Sequence, residues 1–169
     1  MRIDIGAGEH PHPDFDVTVD VLTLPGVTHV TPMDRLPFPD ATFEELRAND
    51  VLEHQSWELI EPTLREWARV LKPGAEVYIQ VPNARSLAER WVRGELSTGE
   101  ANYWLLGGHS DRAAHRGVDS NGVPRWIWNA HHVLFDEASL RADLECTGFM
   151  DIRIESDGGS NLMCWCRRR

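Results

Sequence analysis

A glycine turn followed by a spaced acid is the part of this sequence best suited to bind a small ligand. Gly6-Ala7-Gly8 directly follows a short extended run, residues 2–5. Glycine has no Cβ and tolerates unusual dihedral angles, so this turn lets the backbone approach a ligand closely. Asp20 ends the next extended run, where its two carboxylate oxygens are placed to accept both hydroxyls of an adenosine ribose.

A second acid extends this pattern toward a nucleoside base. Asp34 follows a third short run and is placed to accept a hydrogen bond from an adenine amino group. Arg35 and Leu36 would add main-chain and apolar contacts to the ring. The alternatives are that Asp20 is a strand-end carboxylate without a ligand and that Asp34 is an ordinary turn residue.

The turn does not match the dinucleotide-binding fingerprint. That fingerprint needs a third glycine that opens a helix and an acid about 20 residues further on. Here the segment Glu9-His10-Pro11-His12-Pro13 blocks a regular helix, and Asp20 follows Gly8 by only 20 − 8 = 12 positions. A pyrophosphate seat on a helix N-terminus is therefore disfavoured.

The elements that must position these residues alternate between strand and helix patterns. Strands are predicted at residues 2–5, 16–21, 27–30, 42–48, 76–81, 150–154 and 162–166. Helices are predicted at residues 56–71, with the continuous part starting at Pro62, at 86–93, and from an N-cap at Asp136 to a stop at Gly148. The sum is a Rossmann-like, doubly wound α/β fold with a mostly parallel sheet and a C-terminal antiparallel hairpin.

The segment from about 94 to 131 shows no sustained hydrophobic period and is predicted to be an inserted loop or lid. The chain shows no repeats and no linker long enough to separate two domains, so residues 1–169 are predicted to form a single domain. Lys72-Pro73-Gly74 is interpreted as the stop of the helix before it.

Composition limits the possible partners. Seventeen basic against 27 acidic residues give a net charge of −10, which makes nucleic-acid binding unlikely. No apolar run approaches the length of a membrane span, and an N-terminus that carries an acid where a signal peptide is apolar predicts a cytoplasmic protein. The terminal Arg167–Arg169 is interpreted as a solvated tail, and Cys164 and Cys166 as packed core thiols.

Five segments, taken in order, resemble the class I S-adenosylmethionine-dependent methyltransferases, and most of all the small predicted methyltransferases that start almost at the glycine turn. These segments are Ile3–Gly8, Asp20, Met33–Phe43, Asn49–His54 and Leu64–Gly74. The resemblance covers about residues 3–83, with a weaker echo from His132 to Ile154. It implies S-adenosylmethionine as the cofactor and methyl transfer as the activity.

The resemblance also implies a set of binding residues. The glycine turn would line the methionine part of the cofactor, Asp20 would bind the ribose, and Asp34–Leu36 would hold the adenine. Asn49 and Asp50 would lie beside the sulfonium. The implied cofactor-binding residues are Gly6, Ala7, Gly8, Glu9, Asp20, Val21, Asp34, Arg35, Leu36, Asn49, Asp50 and Val51.

Two histidines are candidates for a catalytic role. A sulfonium methyl group is already activated, so positioning and desolvation supply much of the catalysis and a base is optional. If the acceptor must lose a proton, His54, just past Asp50, is a candidate base, although a capping or packing role fits it equally. The family echo places His132 beside the pocket without fixing its role.

The 94–131 segment and its border are dense in imidazole and indole groups: His109, Asp111, His115, Trp126, Trp128, His131 and His132. These side chains could form the wall of an acceptor pocket, with aromatic rings stacked on a flat or cationic substrate, or hold a divalent metal. They could also be a lid whose tryptophans merely pack. Their spacing matches no compact zinc signature, so no metal site is predicted.

Three classes of function remain. The first is methyl transfer to a small-molecule or glycan-like acceptor, and the second is a non-catalytic S-adenosylmethionine-binding domain or partner subunit. A nucleic-acid methyltransferase ranks third, because Asn49-Asp50-Val51-Leu52 stands where amino-methylating enzymes carry an acid-Pro-Pro-aromatic motif. The oligomeric state stays open.

Overall fold

A computed structural model describes residues 1–107, 117–119 and 122–169. Within these ranges seven strands form one sheet, in the order β3-β2-β1-β4-β5-β7-β6. The strands are β1 (Arg2–Ile5), β2 (Val17–Asp20), β3 (His29–Val30), β4 (Phe43–Asn49), β5 (Leu71–Pro82), β6 (Phe149–Ser156) and β7 (Asn161–Arg168).

The strand pairing confirms the predicted architecture. β1 to β5 pair in parallel, and β7 pairs antiparallel with both β5 and β6. β1 lies between β2 and β4, so the chain first builds the sheet outward in one direction and then returns to build it in the other. The carboxyl ends of β1 and β4 therefore meet at a topological switch point, where open α/β sheets bind their ligands.

The described part of the chain has four α-helices: α1 (Ile60–Val70), α2 (Ala84–Val92), α3 (Thr98–Leu106) and α4 (Glu137–Thr147). α1 and α4 pack on the sheet, and α3 packs on α2. α1 packs against α4 and buries Leu64 and Trp67 completely. It begins two residues before the predicted Pro62. Proline is tolerated in the first helical turn because the amide hydrogens there have no partner within the helix.

Two local predictions were incomplete. α3 lies inside the segment predicted to be a loop. A capping box stabilises its N-terminus: Ser97 N donates to Glu100 Oε2 at 2.8 Å, and Glu100 N donates to Ser97 Oγ at 3.2 Å. α1 ends at Val70, so Lys72-Pro73-Gly74 lies within β5, where the pairing with β4 shifts register. Gly74 has a φ of +80° there, a conformation that glycine adopts readily.

The C-terminal arginines are part of the fold, so their interpretation as a solvated tail was wrong. Arg167 forms an ion pair with Glu76 at 3.0 Å, and Arg168 Nε donates to the carbonyl of Ala68 at 3.1 Å. Both belong to β7, whose pairing with β5 and β6 orders the end of the chain. In the same strand Cys164 and Cys166 are buried in the hydrophobic core, as predicted.

No helix in the described ranges is both long and apolar enough to cross a bilayer.

The start of α4 gives a test of local stability. Asp136 Oδ1 accepts from Ser139 N at 2.9 Å, and its Oδ2 accepts from Arg85 Nη2 at 2.7 Å. The Ser139 amide and the Arg85 guanidinium hold the pKa of Asp136 below its ordinary value of 3.8. A lowered pKa means that the carboxylate stabilises the fold above the unfolded-state pKa and that this contribution is lost as the pH falls.

We expect Asp136→Ala to lower the free energy of unfolding by about 1 kcal/mol at pH 7, the usual cost of losing an N-cap. The deficit should shrink as the pH falls below about 4, where the carboxyl of the unfolded chain becomes protonated before that of the folded protein. Asp136→Asn is the matched control, because asparagine caps helices as well as aspartate does. Urea unfolding of the three proteins at pH 7 and pH 3 measures both effects, and a deficit for Asp136→Ala that is equal at both pH values would contradict this account.

Candidate active site

A cavity of about 700 Å³ opens at the carboxyl ends of β1, β2 and β4. Most of the residues proposed from the sequence line it. Those residues are Gly6, Ala7, Gly8, Glu9, Asp20, Val21, Asp34, Asn49, Asp50, Val51 and His54. They converge because each follows or ends a parallel strand, and parallel strands end at the same edge of the sheet.

Three proposed residues lie outside the cavity wall: Arg35, Leu36 and His132. The side chain of Arg35 is 80% exposed and lies 3.5 Å from Asp34. Leu36 is buried in the core, and its amide donates to Glu66 Oε1 at 2.7 Å. The backbone amide of His132 donates to the carbonyl of Glu53 at 2.8 Å.

The glycine turn has a geometry that only glycine can adopt at its first position. Gly6 has a φ of +69°, and the amides of Gly6 and Ala7 both donate to the carbonyl of Val19, at 2.8 and 3.0 Å. A Cβ on Gly6 would lie 2.3 Å from Cγ2 of Val51. The turn is therefore pressed against the segment that follows β4, and the cavity begins at its open side.

Asp20 both holds the turn and faces the ligand space. Its Oδ2 accepts from Gly8 N at 3.0 Å, and its Oδ1 accepts from Leu22 N at 2.8 Å. An ionised carboxylate has about four lone-pair sites. The Asp20 side chain also lines the cavity, so its carboxylate is placed toward a bound ligand.

The far end of the cavity has an apolar character that suits an aromatic base. Pro32 and Met33 line it beside Asp34, and Leu22 and Leu24 contribute from the segment after β2. The sequence reasoning singled out Asp34 but missed these apolar neighbours. Met33 stands next to Asp34 in the family motif, which was the available signal.

Asn49 and Asp50 are fixed at the end of β4. Asp50 has a φ of +52°, a left-handed conformation that aspartate tolerates better than most residues. Gln80 Nε2 donates to both Asp50 oxygens, at 3.1 and 3.0 Å, and Asn49 Nδ2 donates to Asp50 Oδ2 at 2.8 Å. These bonds hold the Asp50 carboxylate at the cavity wall.

Glu53 is buried beside the same wall and was not proposed from the sequence. Its side chain is 1% exposed, and neither carboxyl oxygen has a hydrogen-bond partner in the described part of the chain. Burial, together with the negative charge of Asp50, raises the pKa of Glu53 well above its ordinary range. The carbonyl of Glu53 accepts from the amides of His132 and Val133, at 2.8 and 3.3 Å, and so docks the chain that follows the 94–131 segment.

Two described residues near the end of that segment also line the cavity. Trp128 and Asn129 line the wall together with His54 and Gln55. His54 Nδ1 donates to the carbonyl of Ala130 at 3.1 Å, and the rings of His54 and His131 lie 5.0 Å apart. Trp128 fits the predicted acceptor wall, Trp126 is not among the lining residues, and the proposed His109, Asp111 and His115 lie outside the described residues.

Comparisons with known proteins agree with this architecture. Residues 12–79 match the family model described as a methyltransferase domain. No curated protein matches the chain.

Several solved structures share the fold. A possible histamine N-methyltransferase from Thermotoga maritima is 13% identical, with a TM-score of 0.64 over 99% of this chain and 82% of that chain. The 1,6-didemethyltoxoflavin-N1-methyltransferase of Burkholderia thailandensis, solved with 1,6-didemethyltoxoflavin and S-adenosylhomocysteine, is 17% identical, with a TM-score of 0.60 over 99% and 70%. An S-adenosylmethionine-dependent methyltransferase from Archaeoglobus fulgidus is 13% identical, with a TM-score of 0.64 over 99% and 85%.

The strand order, the cavity at the switch point and the match to the family model agree with the resemblance found in the sequence. The chain is therefore similar to the class I S-adenosylmethionine-dependent methyltransferases in its fold and, over residues 12–79, in its sequence.

Proposed function

We propose that this protein is a methyltransferase that binds S-adenosylmethionine in the cavity and transfers its methyl group to a small-molecule or glycan-like acceptor. The observation that carries the proposal is the convergence of the glycine turn, Asp20 and Asp34 on one cavity of about 700 Å³. A cavity of this size falls within the roughly 300–1,000 Å³ of small-molecule sites.

The residues present fit the cofactor. Gly6 lets the turn pack against Val51, where a Cβ would collide, and the turn residues Gly6, Ala7 and Gly8 line the cavity where an aminoacyl tail would lie. Asp20 lines the cavity with a carboxylate suited to ribose hydroxyls, and Asp34 lines it together with apolar side chains suited to adenine. In this arrangement Asn49 and Asp50 lie nearest to the sulfonium, whose positive charge the Asp50 carboxylate complements.

The bound cofactor supplies an activated methyl group, and the carbon–sulfur bond electrons stay on sulfur as S-adenosylhomocysteine forms. The protein positions an acceptor lone pair in line with that bond and excludes water. His54 lies at the acceptor end, and the Nδ1–H that it donates to Ala130 leaves a lone pair on Nε2 of the neutral ring. That lone pair would accept a proton from an acceptor that must lose one. His132 is given a docking role, through its backbone bond to Glu53.

Two observations favour a small acceptor over a nucleic acid. The net charge of −10 repels a phosphate backbone. The fold is shared with the Burkholderia enzyme, which was solved with the small molecule 1,6-didemethyltoxoflavin. We also propose that residues 94–131 act as a lid on a single domain, supported by Trp128 and Asn129 in the cavity wall, and that the protein is cytoplasmic, as its sequence predicts.

The experiment has two stages. Calorimetry with S-adenosylmethionine and S-adenosylhomocysteine should give one binding site for each. A labelled-methyl screen over small amines, phenols, carboxylic acids, free sugars, DNA and RNA should give product in at least one small-molecule class and none on nucleic acid. Absence of cofactor binding would refute the proposal, and binding without transfer to any acceptor would support the non-catalytic alternative. Methylation confined to DNA or RNA would refute the acceptor class.

A further inference from the structure

Three side chains at the acceptor end of the cavity form a compact cluster that cofactor binding does not use: Glu53, His54 and His131. One ligand atom from each lies within 4.8 Å of the others. Glu53 Oε1 is 3.9 Å from His54 Nε2 and 4.0 Å from His131 Nε2. Both distances are too long for a hydrogen bond, so the carboxylate oxygen and the two imidazole nitrogens lie close together without bonding to each other.

Glu53 is the anomaly that needs an explanation. A carboxyl group that is 1% exposed, with no hydrogen-bond partner for either oxygen among the described residues, is rare in native proteins. Burial of an unpaired charge is costly, and buried carboxylates are usually paired or coordinate a metal. Asp50 adds a second negative charge nearby, and it is already among the causes that raise the pKa of Glu53. A cation in this place would compensate both carboxylates.

The histidines are oriented as metal ligands usually are. A backbone carbonyl only accepts, so the bond from His54 Nδ1 to Ala130 O places the ring hydrogen on Nδ1 and a lone pair on Nε2, the nitrogen closer to Glu53. Most metal-binding histidines donate their other ring hydrogen to a carbonyl, a carboxylate or a water in this way. The rings of His54 and His131 lie 5.0 Å apart, and Nε2 of each lies within 4.0 Å of Glu53 Oε1.

The spacing also suits a metal ion. Ligand atoms around a tetrahedral zinc ion, with bonds of about 2.1 Å, lie about 3.4 Å from one another. The two distances that involve Glu53 exceed this by only about half an ångström. The backbone is fixed on both sides of the cluster, because the amide of His132 donates to the carbonyl of Glu53 and the amide of His131 donates to the carbonyl of Leu106. Small side-chain rotations would therefore close the site.

We propose that Glu53, His54 and His131 bind a divalent transition-metal ion, with zinc as the best match to two imidazoles and one carboxylate. Three protein ligands leave a fourth position for water or for an oxygen atom of the acceptor. Because His54 lines the cavity, that position adjoins the acceptor space. This last step rests on the proposed function, and it names the acceptor class as an oxygen ligand such as a hydroxyl or carboxylate.

Metal binding would replace the proton-accepting role proposed above for His54, because a ligating Nε2 has no lone pair left for a proton. The sequence predicted no metal here. It drew attention to the histidines of the 94–131 segment, whereas Glu53 and His54 follow β4, and only the fold brings them to His131.

The test uses the full chain stripped of metal with a chelator and then titrated with zinc chloride by calorimetry, and with cobalt(II) by absorption spectroscopy. We expect one equivalent of zinc per chain and the visible bands of tetrahedral cobalt. Glu53→Gln and His131→Asn should each lower zinc affinity by at least about 100-fold. His12→Asn is the control, because His12 is outside the cavity wall and the cluster and its change should leave zinc affinity unaltered.

Folding and cofactor binding are measured separately on each variant, by circular dichroism and by calorimetry with S-adenosylhomocysteine. Failure of the wild type to bind zinc, or an unchanged affinity in a folded Glu53→Gln variant, would overturn the metal site and leave the cofactor proposal intact. Zinc binding without S-adenosylhomocysteine binding would instead support the metal site and refute the proposed function. If Glu53→Gln does not fold, His131→Asn alone decides the question.

Discussion

Replacement of Gly6 by alanine should abolish measurable binding of S-adenosylhomocysteine and destabilise the whole domain. The new Cβ would lie 2.3 Å from Cγ2 and 2.4 Å from Cβ of Val51, so either the turn or the segment after β4 must move. The positive φ adds about 1–2 kcal/mol of backbone strain for any residue with a Cβ. Together with overpacking, we expect a loss of at least about 2 kcal/mol in the free energy of unfolding. Urea unfolding and calorimetry measure the two effects.

Gly8→Ala is the matched control for this prediction. Gly8 also has a positive φ, +60°, but the nearest atom to its added Cβ is the carbonyl oxygen of Gly6 at 3.9 Å. Its loss of stability should therefore be limited to the backbone strain of about 1–2 kcal/mol. Val51→Gly in the Gly6→Ala background removes the clashing side chain and should restore part of the stability. Equal losses in the two alanine variants, or no rescue, would contradict the steric explanation.

Asp20→Ala should raise the dissociation constant of S-adenosylhomocysteine by at least about 100-fold. The ribose would lose two charge-assisted hydrogen bonds, each worth about 1.5–3 kcal/mol. The variant also removes the oxygen that accepts from Gly8 N, so the glycine turn loses one of its supports. Asp20→Asn keeps one accepting oxygen without the charge and should give an intermediate affinity. Calorimetry on the three proteins measures the series.

A neighbouring aspartate distinguishes this effect from a general loss of charge. Asp16 also accepts a backbone hydrogen bond, from Arg2 N at 2.7 Å, but it does not line the cavity. Asp16→Ala should therefore bind S-adenosylhomocysteine within about twofold of the wild type, a change of less than about 0.5 kcal/mol. If Asp20→Ala binds as tightly as Asp16→Ala, Asp20 has no contact with the ribose.

The parts of the fold that depend on local patterns were predictable from the sequence. The alternation of strands and helices indicated a mostly parallel sheet, and Asp136 and Gly148 marked the ends of α4 because capping is a local interaction. α3 was missed because its apolar residues follow no helical period, although Ser97 and Glu100 have the spacing of a capping box. The placement of the last arginines in an ordered strand was also not predictable, because it depends on the pairing of β7 with β5.

The same distinction applies to the candidate site. The convergence of the glycine turn, Asp20 and Asp34 on one cavity was predictable, because each ends a strand or follows one within a few residues and strand ends in a parallel sheet lie together. The cluster of Glu53, His54 and His131 was not, because Glu53 and His131 are 131 − 53 = 78 positions apart in the chain. No periodicity in the sequence connects such distant positions. They meet only because the chain around His131 is hydrogen-bonded to the carbonyl of Glu53 in the folded protein.

Under the proposed function, the pocket has two parts that come from different regions of the chain, and backbone hydrogen bonds to the carbonyl of Glu53 join them. The nucleoside half comes from one continuous stretch, whose strands β1 to β5 are neighbours in the sheet. The opposite half depends on a detour in the chain that is attached at a few backbone bonds, including those of His132 and Val133. Under the proposed function, evolution or a protein engineer could exchange that detour and so change substrate choice, while the half proposed to bind the methyl donor is inherited unchanged.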